Sequence, residues 1–126
     1  MCSCVVERME HRVLVVDDNA DAANALARGL EHLGYTVRTA NDGLSGLEIA
    51  VDFRPHSAVL DIAMPMLDGW ALAERFSRLP MFRKPKLIAL TGLCSAAHRA
   101  RSAASGFLHH VVKPASLTTL DTLLSI

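Results

Sequence analysis

The stretch Ser57-Ala58-Val59-Leu60-Asp61 decides the fold, because it is a short apolar run that ends on a carboxylate. A second run, Val13-Leu14-Val15-Val16, ends in the same way at Asp17 and Asp18. Short continuous apolar runs are typical of parallel strands covered on both faces. Because the carboxyl ends of parallel strands share one edge of the sheet, we expect these acids to meet there.

Two further apolar runs also end on polar residues. Leu87-Ile88-Ala89-Leu90 ends at Thr91, and Val111-Val112 ends at Lys113-Pro114. A more polar segment, Tyr35–Ala40, is predicted as the second strand and suits a sheet edge. The fourth and fifth strands are predicted over Lys86–Leu90 and Phe107–Val112.

Helical spacing of apolar residues separates these strands. Three of the predicted helices span Ala20–Leu33, Trp70–Ser77, which Asp68 caps, and Ser95–Ala104. Another helix, between the second and third strands, has Leu44, Leu47 and Ile49–Val51 on its apolar face. The last helix is capped by Ser116 and packs through Leu117, Leu120, Leu123 and Leu124. Alternating strands and helices predict an α/β fold. We expect a doubly wound five-stranded parallel sheet of order 2-1-3-4-5 (flavodoxin-like), with helices on both faces.

Length and composition fit one globular domain. The chain has 126 residues, 51% of them hydrophobic, and equal numbers of acidic and basic residues. That balance argues against a nucleic-acid groove or an anionic membrane as partner. Residues 1–10 are predicted to be a flexible leader, and 11–126 the domain.

The location follows from what the sequence lacks. No stretch approaches the roughly 20 apolar residues of a membrane span, and the start lacks the apolar core of a signal peptide. We therefore expect a cytoplasmic protein with reduced thiols. Cys2, Cys4 and Cys94 are interpreted as incidental, since they do not make a zinc site.

The sheet edge is where chemistry is expected. Two carboxylates about 4 Å apart repel by roughly 4 kcal/mol at an effective dielectric near 20, so three need compensation. Lys113 supplies one cation. Carboxylate ligands without histidine or cysteine favour Mg²⁺, or Mn²⁺, as the source of the remaining positive charge. Asp61 can then act as a nucleophile toward a phosphoryl group, with the Thr91 hydroxyl as a hydrogen-bond donor.

Each of these residues also has a structural interpretation. An aspartate at a strand end is often a cap or turn residue, and an Asp-Asp pair before a helix is typical of an N-terminal cap. A Lys-Pro pair is often only a turn. Their joint placement on four strand ends is what favours a site.

The chain resembles a receiver domain of bacterial two-component response regulators over about Arg12 to Ile126. The matching segments are Val15-Val16-Asp17-Asp18-Asn19, Leu60-Asp61-Ile62-Ala63-Met64-Pro65 with Asp68-Gly69, Ala89-Leu90-Thr91-Gly92, and Gly106-Phe107 leading to Val112-Lys113-Pro114.

The resemblance implies a role for each site residue. Asp61 is implied to be the phosphoacceptor, supplied by a histidine kinase or a histidine phosphotransfer protein. Asp18, Asp61 and the carbonyl of Ala63 are implied to ligate Mg²⁺, with Asp17 acting mostly through water. Thr91 is implied to be the switch hydroxyl. Lys113 is implied to pair with the phosphoryl oxygens, and the peptide bond to Pro114 to be cis.

The sequence departs from the family at the sheet edge. His110 stands where the family usually has tyrosine or phenylalanine, so switching is expected to be weaker or pH-sensitive, or His110 is only a partly buried strand residue. Gly92 stands where alanine is commoner. Ala63 and Leu93 carry no polar group to orient water, which predicts slow loss of the phosphoryl group.

The resulting prediction is a phosphoaccepting receiver, of the single-domain or hybrid-kinase type. It either switches a surface for a downstream protein partner or shuttles the phosphoryl group within a phosphorelay. We expect no separate turnover substrate, so the protein is not predicted to be an enzyme in the usual sense. We also expect no further output domain after residue 126, and a monomer or weak homodimer. There are three alternatives. A dehalogenase-type phosphatase is disfavoured because Ala63 stands where a second acid is needed, and a flavodoxin-type electron carrier is disfavoured by the acids after the first strand. The third alternative is a receiver that only binds partners.

Overall fold

Five short strands form one parallel sheet in the order β2-β1-β3-β4-β5. The computed structural model describes residues 11–62, 68–79, 84–92 and 96–125. The strands are β1 (Arg12–Val16), β2 (Thr36–Ala40), β3 (Ser57–Asp61), β4 (Lys86–Thr91) and β5 (His109–Val112). The predicted fold class and strand order are confirmed, and the polar β2 lies at an edge.

Five helices cover the two faces of this sheet. They are α1 (Ala20–His32), α2 (Gly43–Phe53), α3 (Gly69–Ser77), α4 (Ala96–Ala104) and α5 (Leu117–Ser125). One core joins Val13, Val15 and Val59 to buried residues of α1 and α5. The other joins Leu14, Val16 and Leu60 to α2 and α3. The alternation of β1 side chains between the two cores follows from the period of two in a strand.

Two strands begin later than predicted, because the first residues predicted for each strand belong to the turn that ends the preceding helix. Tyr35 donates its backbone N–H to the Leu30 carbonyl, and Phe107 donates to the Ser102 carbonyl. Gly34 and Gly106 precede them with φ of 103° and 106°, the left-handed conformation that ends many helices. The strands therefore begin at Thr36 and His109, rather than at Tyr35 and Phe107.

The predicted apolar face of α2 is partly wrong. Leu44 and Val51 are 55% and 51% exposed. The buried residues of α2 are Gly43, Gly46 and Ala50, which recur at helical spacing on one side. A Cβ at Gly46 would lie 2.9 Å from Cγ2 of Val16, so small residues let this helix approach the sheet.

Both predicted helix caps are present. Asp68 accepts a hydrogen bond from the Ala71 backbone N–H at 2.8 Å, and Ser116 accepts one from Thr119 at 3.0 Å. Within the described ranges, the helices are all too short or too polar to cross a bilayer. The leader 1–10, Ala63, Leu93, Ser95 and the three cysteines lie outside the described residues, so the predictions made for them stay predictions.

Candidate functional site

Three carboxylates meet at the carboxyl edge of the sheet, as the strand order predicted. One carboxylate oxygen from each of Asp17, Asp18 and Asp61 lies within 4.8 Å of the others. Asp17 and Asp61 are each 6% exposed, whereas Asp18 is exposed. The register explains the meeting, because Val16 pairs with Leu60 and the next residue of each strand is an aspartate.

The turn after β1 fixes Asp17 through its neighbours. The Asp17 backbone N–H donates to the Ala40 carbonyl at 3.1 Å, and the Asn41 side chain donates to the Asp17 carbonyl at 3.1 Å. An Asp17 carboxylate oxygen accepts the Asn19 N–H at 3.0 Å. Asn19 itself caps α1 by accepting from Ala22. The cap is therefore Asn19, which leaves the two acids directed to the sheet edge.

Lys113 joins two of these acids. Its Nζ lies 3.6 Å from Oδ2 of Asp17 and 3.5 Å from Oδ2 of Asp61. Its backbone N–H donates to the Thr91 carbonyl at 2.7 Å, which ties the end of β5 to the end of β4. The peptide bond to Pro114 is cis, as the resemblance implied. Lys113 thus contacts two of the three carboxylates of the cluster.

Thr91 lies at the neighbouring strand end and is fully buried. Leu90 pairs with Asp61 in the sheet, so Thr91 is one residue beyond the level of that carboxylate. On its other side Thr91 pairs with Val112, the residue before Lys113. The register therefore brings the predicted hydroxyl, lysine and acids to one edge.

A glycine brings the start of α3 close to the end of β3. The Gly69 backbone N–H donates to the Ile62 carbonyl at 2.9 Å. A Cβ on Gly69 would lie 2.6 Å from Cα of Ile62 and 2.7 Å from the backbone oxygen of Asp61. Only a residue without a side chain fits this approach of α3 to the end of β3.

His110 is bound to α4 by a contact that the sequence analysis missed. Its Nδ1 lies 2.8 Å from Oγ of Ser102, and the same hydroxyl accepts the indole N–H of Trp70 at 3.0 Å. His110 pairs with Ala89 in β4, two residues before Thr91. Nothing in the local sequence indicated this contact, because the three residues are 8 to 40 positions apart.

The acids suit a hard divalent cation. Their oxygens are close enough to share an ion, and no histidine or cysteine joins the group among the described residues. Oxygen ligands of this kind favour Mg²⁺ or Mn²⁺. Lys113 is 38% exposed, so its attraction is screened and does not balance three carboxylates.

The response regulator receiver domain family matches residues 13–125, nearly the whole chain. The chain belongs to the response regulator receiver family. Among its relatives, the receiver is 38% identical over 109 residues to the transcriptional regulatory protein PrrA of Mycobacterium tuberculosis, which covers 86% of the chain and 46% of PrrA. It is 32% identical over 116 residues to the sensor histidine kinase CheAY of Helicobacter pylori, covering 90% of the chain and 14% of CheAY.

Solved structures agree with this assignment. The receiver superposes on the chemotaxis protein CheY4 of Vibrio cholerae with a TM-score of 0.86 and 27% identity, over 91% of this chain and 96% of the other. The receiver spans less than half the length of the relatives PrrA and CheAY. As a receiver of two-component signalling, it belongs to a family that interacts with histidine kinases and downstream effectors.

Proposed function

We propose that Asp61 accepts a phosphoryl group from a phosphohistidine of a histidine kinase or histidine phosphotransfer protein. The observation that carries the proposal is the buried Asp61 carboxylate, 3.5 Å from Lys113 Nζ and in the same cluster as Asp17 and Asp18. The fixed carboxylate is the nucleophile, and the positive charge beside it reduces its repulsion from the phosphoryl group, which is itself an anion.

The transfer exchanges one bond to phosphorus for another. A carboxylate oxygen of Asp61 attacks phosphorus as the P–N bond to the donor imidazole breaks, and the electron pair of that bond returns to the ring nitrogen. Lys113 contacts the phosphoryl oxygens, and the Thr91 hydroxyl donates a hydrogen bond to one of them. The reaction is then promoted by positioning and electrostatics. The chain has no separate turnover substrate and is not an enzyme in the usual sense.

Magnesium fits the acids present, and manganese is the substitute. We assign Asp18 and Asp61 as direct ligands, with Asp17 acting mostly through water; the Ala63 carbonyl, the third proposed ligand, lies outside the described residues. When bound, the ion offsets negative charge on the phosphoryl oxygens. Mg²⁺ takes one or two carboxylates and keeps several waters, which suits one exposed and two buried acids.

The signal is read by a protein partner. A phosphoryl group adds about two negative charges, which draws Thr91 and Lys113 toward it and shifts the surface of β4, α4 and β5 between two populations. His110 is the proposed second switch residue. The chain acts in the cytoplasm as a monomer or weak homodimer and makes no contact with nucleic acid of its own; the transcriptional role in the name of PrrA belongs to a longer protein, of which the match covers 46%.

Incubation with acetyl phosphate and MgCl₂, followed by intact-mass measurement, tests the proposal. We expect one added phosphoryl group, absent in Asp61→Asn. A chain that stays unmodified, or an Asp61→Asn variant that is modified equally, would contradict it. Because residues 63 and 93 offer no polar side chain to an attacking water, the phosphorylated form should decay over minutes or longer, and a half-life of seconds would argue against slow hydrolysis.

A further inference from the structure

Helix α4 is held to the domain with very little apolar packing. Of its nine residues, Ala96–Ala104, Ser102 alone is buried. A helix this short is not stable by itself in water, and most helices are fixed by burial of an apolar face. The position of α4 must therefore depend on a few specific contacts.

Those contacts converge on the one tryptophan of the chain. The Trp70 indole N–H donates to Oγ of Ser102 at 3.0 Å. The His98 ring lies parallel to the indole, with an interplanar angle of 4° and centroids 5.9 Å apart. The Arg101 guanidinium carbon lies 4.1 Å from the ring centroid, a cation–π contact. We call Trp70, His98, Arg101, Ser102 and His110 the Trp70 clamp.

Ser102 extends the clamp to the sheet. Its hydroxyl oxygen is 3.0 Å from the indole nitrogen and 2.8 Å from Nδ1 of His110. The indole N–H can only donate, so Ser102 accepts from α3 while also bonding β5. One buried hydroxyl thereby joins three elements of the fold.

The other end of the clamp is attached to the phosphoacceptor. Trp70 directly follows Gly69, whose N–H bonds the Ile62 carbonyl and whose Cα packs against the backbone of Asp61 and Ile62 with no room for a Cβ. A shift of the backbone at the end of β3 must therefore move the first turn of α3, and with it the indole ring, because close-packed backbone transmits displacement.

We propose that the Trp70 clamp holds α4 in its unphosphorylated position, and that phosphorylation of Asp61 releases it. The proposal rests on the function proposed above and concerns the contacts that hold α4. It adds a route through Gly69 and Trp70 that does not pass through Thr91. By linkage, a clamp that opposes the phosphorylated state must itself be weakened by phosphorylation.

Amide hydrogen exchange of residues 96–104 tests the clamp in the unmodified protein. Ser102→Ala and Trp70→Phe each remove one hydrogen-bonding partner, and the phenylalanine keeps an aromatic ring. We expect α4 to exchange about fivefold faster in Trp70→Phe, the effect of one buried hydrogen bond on local opening, and faster still in Ser102→Ala, which loses the bonds to both Trp70 and His110. Ser77→Ala is the matched control, since that hydroxyl bonds the Glu74 carbonyl within α3, and α4 exchange should not change. Equal exchange in all four proteins would overturn the clamp.

The same measurement with acetyl phosphate and MgCl₂ tests release, with the phosphorylated fraction read by intact mass on the same sample. Wild-type α4 should exchange faster when phosphorylated, and the two clamp variants should show a smaller further increase. A phosphorylated chain whose α4 exchange is unchanged would overturn the release alone. A chain that takes up no phosphoryl group would contradict the proposed function as well, so the two failures are distinguishable.

Discussion

At the residue scale, Asp61 depends on the groups that surround it. A buried carboxylate beside two others is unfavourable unless a cation compensates it. Lys113 bridges Asp17 and Asp61 but leaves the exposed Asp18 to recruit a further positive charge. Single substitutions should separate the contribution of the lysine from that of the proposed metal ion.

Removing Asp18 should weaken magnesium binding. Asp18→Asn keeps the shape of the side chain and deletes one of three charges, so we expect Mg²⁺ affinity to fall at least about tenfold. Calorimetric titration with MgCl₂ measures this. Asp21→Asn is the matched control, because Asp21 is an exposed acid in the first turn of α1 outside the cluster. Equal losses in the two variants would mean that general charge, and not the cluster, binds the ion.

Removing Lys113 should slow phosphorylation. Lys113→Met deletes the ammonium group 3.5 Å from Asp61, and the rate of modification by acetyl phosphate should fall at least about tenfold. Intact mass against time gives the rate. Lys86→Met is the control, because the Lys86 ammonium group bonds the Leu123 carbonyl away from the acids. A rate unchanged in Lys113→Met would remove this lysine from the mechanism.

At the element scale, two helices are placed by small residues and caps. Gly69 lets α3 begin against the end of β3, and Gly29 lets α1 approach Leu117 of α5. The same substitution should have different effects at these two sites. The obstacle at Gly69 is backbone, whereas the obstacle at Gly29 is the end of a side chain that can turn away.

Gly69→Ala should destabilise the domain by about 1–3 kcal/mol, the usual effect of overpacking, and should slow phosphorylation by displacing the Asp61–Ile62 backbone. Gly29→Ala should change the free energy of unfolding by less than about 1 kcal/mol, because the gain in helix propensity offsets the movement of Leu117. Urea denaturation measures both. A Gly69→Ala variant as stable as wild type would show that the close approach is not needed.

The cap of α2 predicts a pH dependence. The backbone N–H and hydroxyl of Ser45 hold the pKa of Asp42 below its usual value of 3.8. A depressed pKa in the folded state means that the stability is present above pH 3.8 and is lost as the pH falls through the lower folded value. Asp42→Ala should lower the Tm at pH 7, and the difference from wild type should shrink below pH 3.8. A difference that stays constant down to pH 2 would contradict this origin, and Glu48→Ala, another exposed acid of α2, is the control.

The elements show which information was local. Apolar runs and caps predicted β1, β3 and the start of α3 because each signal lies within a few consecutive residues. The starts of β2 and β5 were predicted too early. Tyr35 and Phe107 close the preceding helix instead of pairing in the sheet, and this depends on the turn at the glycine before each of them. The exposed face of α2 was misjudged because Leu44 and Val51 are apolar without being buried.

At the scale of the whole molecule, the parallel topology gathers distant residues at one edge. Strand order 2-1-3-4-5 makes β1 and β3 neighbours, so the carboxylate oxygens of acids more than forty positions apart lie within 4.8 Å of one another. This much of the site followed from sequence. The Trp70 clamp did not, because an indole, a serine and a histidine carry no spacing rule, and the packing of three elements had to be seen before their contact was known.

The most direct measurement is to locate the phosphoryl group after treatment with acetyl phosphate, by pepsin digestion and peptide mass, once with Mg²⁺ and once with a chelator. We predict that the added mass lies on the peptide containing Asp61 and appears only when Mg²⁺ is present. Added mass on another peptide, or equal modification of Asp61 without a divalent ion, would contradict the claim that three converging carboxylates and a metal prepare this aspartate for phosphorylation.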